Sequence, residues 1–108
     1  MDFIDTSLLA DRIYEGKRID ENVCMVSLIE YPSLAGYDNF YGKVIYPDLA
    51  DLMLALEIQK KLMEQGRMQG AADLIIAATC INQRANLLTA DSDYEEISKV
   101  SDLKVIWE

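Results

Sequence analysis

The sequence predicts an α/β domain: a central, mostly parallel sheet flanked by helices on both faces. Three observations lead there. Short apolar runs at Phe3-Ile4, Val23 to Val26, Leu87 to Thr89 and Leu103 to Trp107 alternate with segments of helical periodicity. The run Val23 to Val26 is continuously apolar, as a strand covered on both faces would be. The chain of 108 residues can bury one sizeable core but not two, so a single domain over residues 1–108 is expected. Strands separated by helices at this length favour a parallel sheet wound on both sides, and such sheets bind ligands beyond the carboxyl ends of their strands.

Each element has its own signal. Asp2 to Asp5 reads as a short strand ending on an acid. Thr6 or Ser7 is then expected to cap a helix carrying Leu8, Leu9, Ile13 and Tyr14, stopped by Gly16. After the polar linker Lys17 to Asn22 comes the strand Val23 to Val26. Ser27 to Glu30 has the spacing of a capping box, but a helix from Ser27 would hold Pro32 in its interior. The helix is therefore expected to begin near Glu30 or Tyr31, with Pro32 in its first turn. Gly36 to Gly42 is an aromatic-rich loop, and Lys43 to Tyr46 a weak strand. Pro47-Asp48 opens a long amphipathic helix with Leu49, Leu52, Met53, Leu56 and Met63 on one side, ended by Gly66.

Gly70 to Ile81 holds the most apolar run in the chain. From Leu74 to Ile81 only Thr79 is polar, which describes a helix buried nearly all round, with Asp73 at its mouth. Taken alone, Asp73 would serve as a helix cap. Asn86 turns the chain into the strand Leu87 to Thr89. Ala90 to Tyr94 leads to a short helix ending about Lys99, and Leu103 to Trp107 alternates as a final strand.

Composition narrows the chemistry. Apolar residues make up 51% and charged residues 27%, an ordinary globular balance. No apolar stretch reaches membrane-spanning length, and Met1-Asp2 opens without a basic leader region. Cys24 and Cys80 lie in apolar surroundings without C-x-x-C spacing, as small core residues of a reducing cytoplasm would. The absence of histidine removes His-based triads, His acid–base chemistry and most zinc sites. Nineteen acidic against ten basic residues give a net charge of −9, which repels nucleic acid in bulk. Some of that charge is better placed in a carboxylate cluster that a divalent cation makes tolerable.

Four acids stand at element ends. Asp5 closes the first strand, Glu30 follows the second, Asp73 opens the buried helix, and Asp91 follows the strand Leu87 to Thr89. Each has a plain use as a cap or turn residue, but a parallel sheet gathers strand ends along one edge. Four such carboxylates repel unless protonated or bridged by metal, and hard oxygen ligands without His or paired Cys select Mg²⁺ or Mn²⁺. That donor set suits phosphodiester hydrolysis by metal-activated water. Thr6 and Thr89 are hydroxyls placed to support a carboxylate by hydrogen bonding.

At these residues the sequence resembles the PIN domain family, and within it the VapC-like toxins of prokaryotic toxin–antitoxin pairs. The resemblance lies in Ile4-Asp5-Thr6-Ser7, in Val26-Ser27-Leu28-Ile29-Glu30, in Ala72 to Ala78, and in Leu88-Thr89-Ala90-Asp91-Ser92-Asp93-Tyr94. It implies a PIN-like fold and a Mg²⁺- or Mn²⁺-dependent endoribonuclease. It makes Asp5, Glu30, Asp73 and Asp91 the catalytic, metal-binding carboxylates, with Asp93 auxiliary, and an antitoxin protein the cognate partner. Set against that family's pattern, the stretch between Glu30 and the Pro47 helix is expected to be a trimmed one.

RNA contacts are sought among Lys17, Arg18, Lys43 and Arg12, and a homodimer is expected to bury the Leu49/Leu52/Met53/Leu56 stripe and the loop around Phe40 and Tyr41. Two other classes share the acidic pattern. A PIN-like scaffold would bind RNA or protein without cutting, and a receiver-like signalling domain would need a phosphoacceptor Asp on a central strand, which the sequence lacks. Mg²⁺-dependent RNA cleavage abolished by a change at Asp5 separates the nuclease from the scaffold.

Overall fold

The computed structural model describes residues 1–108. In chain order the elements are β1 (Asp2–Ile4), α1 (Thr6–Tyr14), β2 (Val23–Cys24), α2 (Met25–Glu30), a 3₁₀ turn (Pro32–Gly36), β3 (Val44–Ile45), α3 (Leu49–Glu64), α4 (Ala71–Asn82), β4 (Asn86–Thr89), α5 (Asp93–Lys99) and β5 (Lys104–Trp107). All strand pairs are parallel. β1, β4 and β5 form one sheet in the order β1-β4-β5, and β2 pairs with β3. A parallel bridge between Phe3 and Asn22 joins the two parts, so the strands run β3-β2-β1-β4-β5 across the molecule.

Alternation along the strands builds two cores. Phe3, Cys24 and Leu87 face α3, α4 and α5, packing in one cluster with Ile58, Leu62, Leu74, Ile76 and Tyr94. Ile4 and Val23 face the other way, toward Leu9 of α1, Ile19 and Leu34. Helices thus cover both faces, as expected. α4 is the helix buried nearly all round, and the one polar residue between Leu74 and Ile81 is satisfied internally: Thr79 Oγ1 donates to the Ile75 carbonyl at 2.8 Å.

Several local expectations give way. The strand at Val23 ends after two residues, and Met25 already begins α2 with Cys24 as its cap. Pro32 supplies the reason: α2 must finish before it, so the helix lies upstream of Pro32 and not downstream, and Pro32 opens the 3₁₀ turn instead. Asp5 caps α1 in place of Thr6 or Ser7, accepting from the Leu8 amide at 2.9 Å. At α4 the cap is Gly70, and Asp73 is the third helical residue, making no capping bond. The turn into β4 falls at Arg84 (φ 54°), which leaves Asn86 inside the strand.

α3 differs most. Its buried residues are Asp51, Ala55, Ile58 and Leu62, whereas Leu49, Leu52, Met53, Leu56 and Met63 stand exposed. Asp51 is buried because it is fully used: it completes a capping box with Asp48 and accepts from Asn82 of α4 at 2.7 Å. The stops at Gly16 (φ 72°) and Gly66 (φ 67°) are as read from the sequence. Gly42 has a separate reason, since a Cβ there would sit 1.9 Å from the Glu21 carbonyl oxygen. That close approach lets the segments leading into β2 and β3 run side by side from Ile19 and Phe40 onward.

Candidate metal centre

Strands β2 and β3 extend the sheet to one side of β1, and β4 and β5 extend it to the other. The sheet therefore has its topological switch between β1 and β4, where a crevice opens at the carboxyl ends. Asp5 leaves β1 there and Asp91 leaves β4. Glu30 arrives at the end of α2, and the first turn of α4 brings Asp73.

Asp5 is 2% exposed. Its Oδ1 accepts from the Leu8 amide and its Oδ2 from the Thr89 hydroxyl. Thr89 in turn accepts from the Asp91 amide at 2.9 Å, so one hydroxyl ties the ends of β1 and β4 together. Asp91 Oδ1 accepts from the Asp93 amide at 2.9 Å, which folds the turn and sets Asp93 beside it. On the other side Thr6 donates to Glu30 Oε1 at 2.6 Å and lies 2.9 Å from the hydroxyl of Ser27, a residue with no exposure at all. Asp73 Oδ1 accepts from the Tyr94 phenol at 3.2 Å.

Ligand atoms of Asp73, Asp91 and Asp93 lie within 4.8 Å of one another, the spacing at which one cation can be shared. Asp5 and Glu30 stand outside that trio but within its field. Burial raises the pKa of Asp73 to about 6, and the charges of Asp91, Glu30 and Asp93 push it the same way. Burial likewise raises that of Asp5, with Asp91 adding to it.

The structure thus gathers all five acids read from the sequence, with Asp93 in the compact trio. Thr6 and Thr89 each hold a carboxylate. The basic residues are placed elsewhere. Lys17 and Arg18 precede β2 and Lys43 precedes β3, at the amino ends of strands whose carboxyl ends face the acids. Lys17 pairs with Glu15, Arg18 with Asp20 while stacking on Tyr41, and Arg12 with Glu21 and Glu108. Two supporting hydroxyls escaped the sequence reading, Ser27 and Tyr94. Ser27 resembled a cap, and apolar spacing cannot distinguish a Tyr that uses its hydroxyl from a Phe.

No Lys or Arg reaches any of the five carboxylates; every ion pair of the structure lies elsewhere. In Glu30, Asp73 and Asp91 one oxygen is held by the protein and the other has no protein partner. An all-oxygen set with fixed ligands and no compensating charge fits a hard divalent cation.

The PIN domain family matches residues 35–100, more than half of the sequence, and the chain belongs to that family. No curated protein matches the sequence. Solved structures share the fold at low identity. A chain of VapBC2 from Rickettsia felis, bound to a promoter DNA fragment, is 15% identical over 99% of this chain and 98% of its own, with a TM-score of 0.78. DNA-bound VapBC from Salmonella typhimurium is 13% identical over 98% and 96%, with a TM-score of 0.74. VapBC-1 from nontypeable Haemophilus influenzae is 20% identical over 99% and 96%, at 0.67. The VapC-like resemblance read from the motifs therefore holds for the fold.

Proposed function

We propose that this chain is a divalent-metal-dependent endoribonuclease of the cytoplasm, acting as the toxin of a toxin–antitoxin pair. The observation that carries the reading is the set of five carboxylates at the sheet's switch point without one cationic partner. Family membership supports it, and the fold shared with VapBC complexes supports a protein antitoxin as partner.

Asp73, Asp91 and Asp93 would hold Mg²⁺ or Mn²⁺, with Asp5 and Glu30 completing the acidic ring. When bound, the cation supplies a Lewis acid that eases ionisation of water and offsets charge on the phosphate. The rest falls to the chain itself. Thr89 fixes Asp5 and Thr6 fixes Glu30, so their free lone pairs can orient a water for in-line attack on phosphorus. As the water attacks, the bond from phosphorus to the 3′-oxygen breaks, the water's proton passes to solvent and the departing 3′-oxygen takes one up. No side chain becomes covalently attached, and cleavage leaves a 5′-phosphate.

Incubating the protein with RNA in Mg²⁺ or Mn²⁺ tests this. Cleavage with 5′-phosphate products, lost in excess EDTA and in Asp5→Asn, is the expected result. Cleavage persisting in EDTA, or 2′,3′-cyclic phosphate ends, would refute it. RNA binding without cleavage in either metal would favour the scaffold reading.

A further inference from the structure

One buried hydroxyl at the site has no part in that scheme. Tyr94 is 1% exposed, and its ring shares the main core with Phe3, Leu74 and Ile97. A phenylalanine would fill the same ring volume. Burying the extra hydroxyl costs free energy unless it finds a partner, and its partner is Asp73 Oδ1 at 3.2 Å. The carboxylate can only accept, so the phenol donates.

Asp73 depends on this bond. It makes no capping contact, and no other hydrogen bond reaches its side chain. Around it, Asp91, Glu30 and Asp93 all repel its charge. An untethered, half-buried aspartate repelled by three neighbouring acids would swing toward solvent. The two elements joined also matter: Tyr94 lies in the first turn of α5, directly after Asp93, while Asp73 lies in the first turn of α4. The phenol therefore cross-links the two helix starts that carry the trio.

We propose that Tyr94 is a positioning residue, whose hydroxyl holds Asp73 in register with Asp91 and Asp93 and leaves its second oxygen for the cation. This rests on the metal reading above. Partners of this kind behind metal ligands commonly change affinity or activity by about 10–100-fold.

The test is calorimetric titration of Mn²⁺ into the wild type and into Tyr94→Phe, with thermal unfolding of both in EDTA. Retained metal-free stability, Mn²⁺ affinity weaker by about tenfold, and a loss in kcat larger than any change in KM are expected. Equal Mn²⁺ affinity in the two proteins would show that Tyr94 only fills space, and would overturn the proposal while leaving the metal reading intact. Failure of the wild type to bind Mn²⁺ would overturn both. A second measurement does not depend on Tyr94→Phe folding. The tyrosine near-ultraviolet difference spectrum of the wild type should shift on adding Mn²⁺ and stay flat in Asp73→Asn; a flat spectrum in a wild type that binds Mn²⁺ would overturn the proposal.

Discussion

Asp73 is held in a site that penalises its charge. Its carboxyl binds a proton more tightly in the folded chain, near pH 6, than in the unfolded chain, near 3.8. Its contribution to stability is therefore complete below about pH 3.8 and disappears as pH rises through about 6, and Asp5 adds in the same direction. In EDTA the metal-free protein should lose stability over that window. Asp73→Asn should flatten the loss and raise stability at pH 7 by about 1 kcal/mol, a few degrees in Tm, while weakening Mn²⁺ binding. Thermal unfolding against pH checks the sign, and a wild-type curve that rises from pH 4 to 7 would contradict it. The two acids of the β4 turn should separate. Asp91→Asn keeps the Oδ1 acceptor that the Asp93 amide needs, so the fold should survive with RNA cleavage reduced by more than about 100-fold, on the scale of losing a key charged group. Exposed Asp93→Asn should cost less, and equal losses would indicate equal ligation. These acids were legible because their spacing put each at an element end. Tyr94 and Ser27 were not, since what matters is which atom each hydroxyl reaches across the fold.

At the level of elements, apolar pattern located every helix and strand except α2, and proline and capping decided where each began. α2 shows the limit: Pro32 was correctly read as incompatible with a helix interior, yet the helix lay before it. The two-residue strands β2 and β3 are held by pairing with each other, a non-local bond that local sequence does not report. α3 shows a different limit. Its buried face is marked by a charged residue, Asp51, and the apolar stripe points outward. Asp51→Ala should remove the half of the capping box that accepts from the Asp48 amide and strand the Asn82 amide, costing about 2 kcal/mol in a denaturant titration with unchanged m-value. A change under half of that would mean solvent replaces the lost bonds.

On the scale of the whole molecule, exposed Leu49, Leu52, Met53 and Leu56 on one helix leave apolar surface that a second copy would cover. Leu52→Glu together with Leu56→Glu should halve the sedimenting mass at micromolar concentration without lowering the monomer's own stability. A wild type that already sediments as a monomer would remove the dimer from this picture. The charge distribution could not have been read in advance. Only the parallel register shows that Lys17, Arg18 and Lys43 sit by one set of strand ends and the five acids by the other. The pairing of β1 with β4 has a consequence for synthesis. Thr89 and Asp5, joined in the finished site, are separated by 84 residues along the chain. A ribosome adding about 5–20 residues per second exposes β1 some 4–17 s before it makes β4. Until then the N-terminal strand lacks its central neighbour and Asp5 lacks Asp91 and its hydroxyl donor. A nascent chain therefore carries no assembled site until β4 has emerged.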